Sequence, residues 1–303
     1  QEMGRHFTIV TGRDYDTVKP YLEDCNLKCE CILSNGAEYR DINGNVIENV
    51  YMNKQSVKIV FDILNDAGLC IQLMTNKGSY VTNKESDKKA IIDRFKLFNP
   101  KMNEEEVIEF VNKFHAERGM KFLDDIFEII ETDIEILKIT ISKSIINNTT
   151  IINSNFEKCM FIDIQFNNCN FSNTIFENCS FIRCEFNNCK LTGCNFNENT
   201  LLDTNFINVN MNYTNITISD LKNVYFKETG LKNANLQNNK VKNIKFQEAD
   251  LTQIQIFQTS LNGIDLSKCK IDGIAISIDD IKGATINQVQ ALDLIYLLGV
   301  KII

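Results

Sequence analysis

The second half of the chain carries a large apolar residue at every fifth position. From Ile146 through Phe156, Leu191, Met211 and Leu251 to Ile286, 29 consecutive positions keep this spacing without a slip. A helix returns to the same face every 3.6 residues and a strand every two, so neither gathers these side chains on one surface. A chain that turns after every five residues does. Two positions before each centre the side chains are mostly small or compact, as at Cys159, Cys169, Cys179, Cys189 and Ala234. Two positions after it, Asn, Asp and Gly crowd in (Asn168, Asn188, Asn233, Gly263), residue types that tolerate tight turns. Such internal repetition predicts stacked coils that share one continuous core.

Before residue 141 the pattern is different and mixed. Phe7–Val10 reads as a buried strand ending in Thr11-Gly12-Arg13, Tyr15–Asn26 as a helix, Cys31–Ser34 as a second strand, and Asp41–Ile47 as a hairpin turn. Both prolines, Pro20 and Pro100, lie in this half. After the last repeat, Asn287–Gly299 reads as a short helix, with Asn287 as N-cap and Gly299 just past its end. Its apolar face is too broad for a solvated helix, and Val300–Ile303 offers a strand. The expected organisation is thus three parts, 1–140, 141–286 and 287–303.

Composition narrows the function. With 44% apolar and 24% charged residues the chain reads as globular. No apolar run approaches the roughly 18 residues that span a bilayer, and no signal segment opens the sequence, so no membrane partner and a cytoplasmic setting are expected. The net charge of −8 falls unevenly: residues 141–303 hold 14 basic and 15 acidic side chains, while 1–140 hold 18 and 25. Neither half has the basic surplus of a phosphate-backbone binder, which argues against direct nucleic-acid binding.

The local sequences Cys169-Asn-Phe-Ser-Asn173 and Ala234-Asn-Leu-Gln-Asn238 resemble the pentapeptide-repeat family. That resemblance implies a right-handed, four-sided β-helix of twenty residues per coil, about seven coils here, with residues twenty apart stacked. One face would then carry Phe166, Phe186, Phe206, Phe226 and Phe246 as a packed aromatic ladder, and Cys159 would lie under Cys179 and Cys169 under Cys189. Coil spacing near 4.8 Å falls within the Cα range of a disulfide. Cysteine is also a compact buried apolar residue, and in a reducing compartment buried thiols are the expected state.

The end of the chain, from Ile271 to Ile302, resembles the Qnr and MfpA pentapeptide proteins. The resemblance implies a homodimer joined through 287–303, with Leu292, Ile295, Leu298, Val300 and Ile302 in the interface. It also implies binding of DNA gyrase and topoisomerase IV by imitation of duplex DNA. The near-neutral charge of 141–303 weighs against that mimicry, and a protein-binding scaffold of another kind or a structural spacer stands beside it.

Residues 7–140 resemble part of a Cof-type haloacid-dehalogenase-like phosphatase, with 55–135 as most of its cap. In that family the hydroxyl at Thr11 would contact a phosphoryl group. The chemistry also needs an aspartate nucleophile, a general-acid aspartate, a lysine and acidic Mg²⁺ ligands. The Asp-x-Asp-Gly-Thr motif belongs ahead of Thr11, where the ten residues include no Asp, and the late metal motif belongs beyond the cap, where the repeats stand. Thr11 is therefore expected as the remnant of an incomplete site, with no cofactor unless that site is completed. Catalysis by this chain is not expected.

Weaker candidates are few. Cys25, Cys29 and Cys31 lack a fourth metal ligand at a recognised spacing. His6 and His115 are isolated. Lys240, Lys242 and Lys245 read as a solvated basic face, and Asp279-Asp280 as a turn before the final coil.

Overall fold

In a computed structural model, residues 7–65, 70–82, 84–85, 87–89, 91–92, 103–117, 121–123 and 127–299 are described. The chain divides into two compact units, Gln1–Ile141 and Ser142–Ile303.

The first unit is α/β. Strands β1 (Thr8–Val10), β2 (Glu30–Leu33), β3 (Glu38–Arg40) and β4 (Val46–Asn49) form a sheet in that order, with β1 and β2 parallel and the others antiparallel. Helix α1 (Tyr15–Asp24) starts at Asp14, whose Oδ1 accepts from the Thr17 N–H at 2.8 Å. Val18 and Leu22 of that helix bury with Cys29, Cys31 and Leu33, and Ile9 packs against them. The expected buried strand at Phe7–Val10 needs correction. Only Ile9 turns inward, while Phe7 is 55% and Val10 69% exposed. β1 is the sheet's edge, covered on one face alone. A second group of strands, β5 (Cys70–Thr75), β6 (Gly78–Thr82) and β7 (Lys121–Leu123), pairs in sequence, and β5 also pairs with β8 (Ile136–Asn147).

The second unit is the four-sided coil. Backbone pairing repeats at an offset of twenty, from Thr150↔Asn170 to Asp265↔Thr285. β9 (Cys159–Asn167) spans two sides. On the first, β10 (Ser180–Ile182), β12 (Thr200–Leu202), β14 (Asp220–Lys222) and β16 (Lys240–Lys242) stack in parallel. On the second lie β11 (Glu185–Asn187), β13 (Asn205–Ile207), β15 (Tyr225–Lys227) and β17 (Lys245–Gln247). The other two sides are held by single bridges such as Asn195↔Asn215 and Asn210↔Gly230, and late in the coil by the short parallel pair Gln255–Ile256 with Ala275–Ile276.

The central side chains are buried along nearly the whole register. Only Val241, Ile281 and Ile286 are half-exposed. Rings of the Phe166 ladder lie nearly parallel, 4.5 to 5.1 Å apart from Phe166 through Phe246. Each corner is closed by the residue two after the centre, which takes a left-handed backbone in almost every repeat. Asn and Gly accept that conformation readily; a β-branched residue does not. Ile218 holds φ 54° while its side chain is 59% exposed, so it strains the backbone and packs little in return. Ile218→Asn is expected to stabilise the unit by about 1 kcal/mol, read as a higher urea midpoint at unchanged slope.

The inward small residues do more than fit. Where the inward residue carries a donor, its side chain at many positions reaches the carbonyl of the central residue 23 positions earlier. Thr174 Oγ1 donates to Ile151 O (2.9 Å), Thr229 to Phe206 O (2.9 Å), and Cys194 Sγ to Phe171 O (2.9 Å). Along one corner, backbone N–H groups are satisfied in turn by Asn199, Ser219, Asn239 and Thr259, and the series ends on the Asp280 carboxylate, which accepts from Thr259 N at 2.9 Å. Asp279-Asp280 accordingly sits in a one-turn helix, Ile278–Ile281, capped by Ser277.

Candidate functional site

In the first unit the chemistry gathers around the turn after β1. The Thr11 N–H donates to Ile32 O at 2.9 Å, and its hydroxyl oxygen accepts from the Arg13 N–H at 3.3 Å. Lys138, 3% exposed, reaches Gly12 O at 3.5 Å. Burial pulls its amine down to about 8, with the Asp14 carboxylate opposing. Asp14 also accepts from the Ser79 hydroxyl at 2.9 Å on its second oxygen. A pocket of about 220 Å³ opens beside it, lined among others by Asp14, Arg40, Lys77 and Ser79. Arg40 stacks over the Tyr15 ring at 4.1 Å and pairs with Glu38. The turn Thr11–Arg13 thus meets a buried lysine at Gly12 and leads into the Asp14 carboxylate, neither of which the strand and motif reading singles out. The signal for Asp14 was its place one residue before a helix; for Lys138 it was an amine inside the apolar run Ile136–Ile141.

These groups do not fit a divalent cation. Both oxygens of Asp14 are committed, to a helix N–H and to a hydroxyl. No group of three or more His, Cys, Asp or Glu side chains able to hold a metal occurs among the described residues. Cys29 and Cys31 lie in the apolar core and Cys25 is exposed, so the structure does not bring the three together as ligands. Burial, then the neighbouring Cys29, raises the Cys31 thiol to about 11. His6 and the side chain of His115 lie outside the described residues.

In the second unit Phe166, Phe186, Phe206, Phe226 and Phe246 are core, and Cys159, Cys169, Cys179 and Cys189 are buried free thiols. The outward surface is ordered by ladders at the coil repeat. Asn187 donates to Asn167 (3.0 Å) and Asn167 to Asn147 (2.9 Å), while Arg183 pairs with Asp163 through two bonds. The terminal helix, Gln288–Leu294, opens on a capping box at Asn287 and runs into a 3₁₀ turn before the left-handed Gly299. Gln290 and Leu294 face inward; Val289, Leu292 and Leu298 are 71, 61 and 70% exposed, and Ile295 is half-buried. Val300 and Ile302 lie outside the described residues. Among the described residues, no helix is long and apolar enough to cross a membrane.

The model of the haloacid dehalogenase-like hydrolase family matches residues 1–176, and pentapeptide-repeat models match 159–197, in eight copies, and 179–256. Among solved structures, a haloacid dehalogenase-like hydrolase from B. subtilis is 21% identical over 45% of this chain and 49% of its own, with a TM-score of 0.39. The chain spans about half the length of that protein. A trypsin-treated form of QnrB1, a plasmid-mediated fluoroquinolone resistance protein, is 18% identical over 54% of this chain and 90% of its own, at a TM-score of 0.30. HetL, a pentapeptide repeat protein involved in heterocyst differentiation regulation from Nostoc sp. strain PCC 7120, is 12% identical over 48% and 86%, at 0.19. No curated protein matches. The chain belongs to the haloacid dehalogenase-like hydrolase family and continues into a pentapeptide-repeat β-helix.

Proposed function

We propose that the repeat unit is a non-catalytic binding scaffold for a protein partner. The observation that carries this reading is the division of side chains within each repeat. Central and small inward positions are spent on packing and on carbonyl bonds, while the outward Asn, Ser, Thr, Lys and Glu residues stand in ladders at a fixed spacing. A surface ordered before contact loses little side-chain entropy on binding.

The finer reading takes DNA gyrase or topoisomerase IV as the partner, bound in place of duplex DNA and thereby protected from quinolones. It rests on the resemblance of 271–302 to the Qnr and MfpA proteins. Charge localises it: residues 142–221 hold seven acidic and four basic side chains, so the early coils are the more DNA-like. Supercoiling by purified gyrase in the presence of a quinolone should be restored as the protein is titrated in. Neither rescue nor inhibition across a wide concentration range would discard the topoisomerase as partner.

The same reading makes the molecule a homodimer through 287–303. Leu292→Asp combined with Leu298→Asp is expected to halve the mass measured by light scattering, since both side chains are exposed and their loss leaves the core intact. A mass unchanged by the pair, or a monomeric starting protein, places the dimer contact elsewhere or removes it.

A second reading, a Mg²⁺-dependent phosphatase of small phosphorylated metabolites, draws on the family match and on buried Lys138 reaching Gly12 O next to Thr11, and it needs metal ligands other than Asp14. Release of phosphate from sugar phosphates with Mg²⁺, abolished by Thr11→Ala, would establish it over the scaffold reading.

A further inference from the structure

The five-residue register is unbroken in sequence, yet the ladder it builds is not. β16 and β17 are the last strands of their two sides. The N–H of Asn223 donates to Lys242 O and that of Glu228 to Gln247 O, each to the next coil; Asn243 and Glu248, twenty residues on, make no such bond. The other two sides continue through Asn235↔Gln255 and Asp250↔Lys270. The flanking corners are also closed, by Asn239 N to Thr259 Oγ1 at 3.0 Å and Lys270 N to Ala249 O at 3.0 Å. Residues 240–248 and 260–268 are therefore parted like the lips of a slot that is hinged at both ends.

Two independent features agree. A Cβ built on Gly193 or Gly283 would strike the Asn side chain of the coil before, at 2.5 Å from Asn173 and 2.2 Å from Asn262, whereas at Gly263 nothing lies within 4 Å. A cavity of about 1,110 Å³ opens at this gap, lined by Asn243–Gln247 and by Gly263–Asp265 with Lys268, and it extends over Asn223–Tyr225 of the coil before.

At the corner between the two sides the inward positions run Ile164, Cys184, Thr204, Val224, Ile244 and Ile264, so two isoleucines stack there only at the parted coils. Ile254 and Ile274 stack at another corner with the ladder intact, the Ala275 N–H donating to Ile254 O at 2.9 Å, so bulk alone does not part the coils. Thr204 donates to Phe181 O at 3.2 Å; Ile264 has no hydroxyl for the equivalent carbonyl of Val241.

An unpaired strand edge is a template for another strand. Lys240, Lys242 and Lys245 stand on one lip and Lys268 on the other, and residues 222–270 hold eight basic against four acidic side chains. We infer that the slot accepts an acidic segment of a partner protein that turns with the corner at Asn243 and pairs as short β-strands along Lys240–Lys242 and Lys245–Gln247. Main-chain bonds then give affinity and the lysines select the charge of alternate side chains. The inference rests on the scaffold reading and assigns where on the scaffold a partner docks.

The test is residue-resolved hydrogen exchange on the full chain, with and without a fluorescent octapeptide of alternating Glu and Val. In the free protein the amides of Asn243 and Glu248 should exchange freely while those of Asn223 and Glu228 are protected, and the peptide should slow the first pair. Ile264→Thr should close the slot, protecting Asn243 and Glu248 without peptide and weakening binding about ten-fold or more. The combination Lys242→Glu with Lys245→Glu should weaken binding as much while leaving exchange in the free protein unchanged. Protection of Asn243 and Glu248 in the free wild type overturns the slot and leaves the scaffold reading standing. Equal binding to Ile264→Thr, or protection produced by a DNA duplex or by raised protein concentration instead of the peptide, overturns the acidic strand as occupant.

Discussion

Replacing Phe206 with alanine is expected to cost the repeat unit about 3–5 kcal/mol. The ring is fully buried and lies between two others, 5.0 Å from Phe186 at an interplanar angle of 10° and 5.1 Å from Phe226 at 6°. Removing it opens a cavity inside a coil held above and below, where collapse is least able to fill it. In a stacked architecture stability is carried by neighbouring interfaces, so one change in a middle coil weakens two of them. Phe246→Ala should cost less. That ring is 6% exposed, stacks among the described residues on Phe226 alone, and borders the parted coils. Urea unfolding of both variants, followed by far-ultraviolet circular dichroism, compares them directly. Equal losses at the two positions would show that stacking on both sides is not the source of the stability.

The difference between these two phenylalanines also marks where sequence was sufficient. Both occupy the same place in the register, and the period of five located both as core because a run of 29 centres admits one geometry. What separates them is the next coil, and pairing between coils depends on whether side chains at the corner fit together. Ile244 and Ile264 satisfy the pattern as Ile254 and Ile274 do, yet the second pair keeps its ladder and the first does not, a difference that the register alone does not carry. The inward Thr, Ser and Asn residues were equally hidden. Size was legible, but the carbonyl 23 residues back that each one satisfies is set by the handedness and rise of the coil. Asparagine was read as a turn former, and its second use, amide ladders such as Asn243 to Asn223 at 3.0 Å, needed the outward faces.

At the ends of the chain, local rules served unequally. Asn287 and Gly299 bound the terminal helix because capping and a left-handed residue are local requirements that sequence states outright. Phe7–Val10 misled because an apolar run says nothing of what covers it, and β1 proved to be an edge. Around Thr11, the family resemblance named one hydroxyl. Asp14, Ser79 and Lys138 come from three separate stretches of the chain, and only the fold joins Ser79 to Asp14 and Lys138 to Gly12 in the turn after Thr11.

Alkaline pH is expected to unfold the repeat unit, and changing Cys184 and Cys194 to threonine is expected to postpone that loss. Burial pushes both thiols up to about 12, and burial raises Cys159 and Cys179 as well. In the unfolded chain a thiol ionises near pH 8.5. Between those limits the unfolded state gives up protons that the fold retains. Stability is therefore complete below about pH 8.5, declines by about 1.4 kcal/mol per pH unit for each such thiol, and is lost as pH approaches the folded value. Threonine removes the titration while keeping the bond. Cys184 and Cys194 donate to Phe161 O and Phe171 O, and Thr174 and Thr204 make the same bond to Ile151 O and Phe181 O. The double variant should match the parent at pH 7 and fall more gently above pH 9, with lysine and tyrosine titrating alike in both. Melting temperatures from pH 7 to about 11 measure the two slopes. Parallel curves would mean that these thiols ionise as readily inside the coil as outside it, and that carbonyl bonds and burial do not hold their protons.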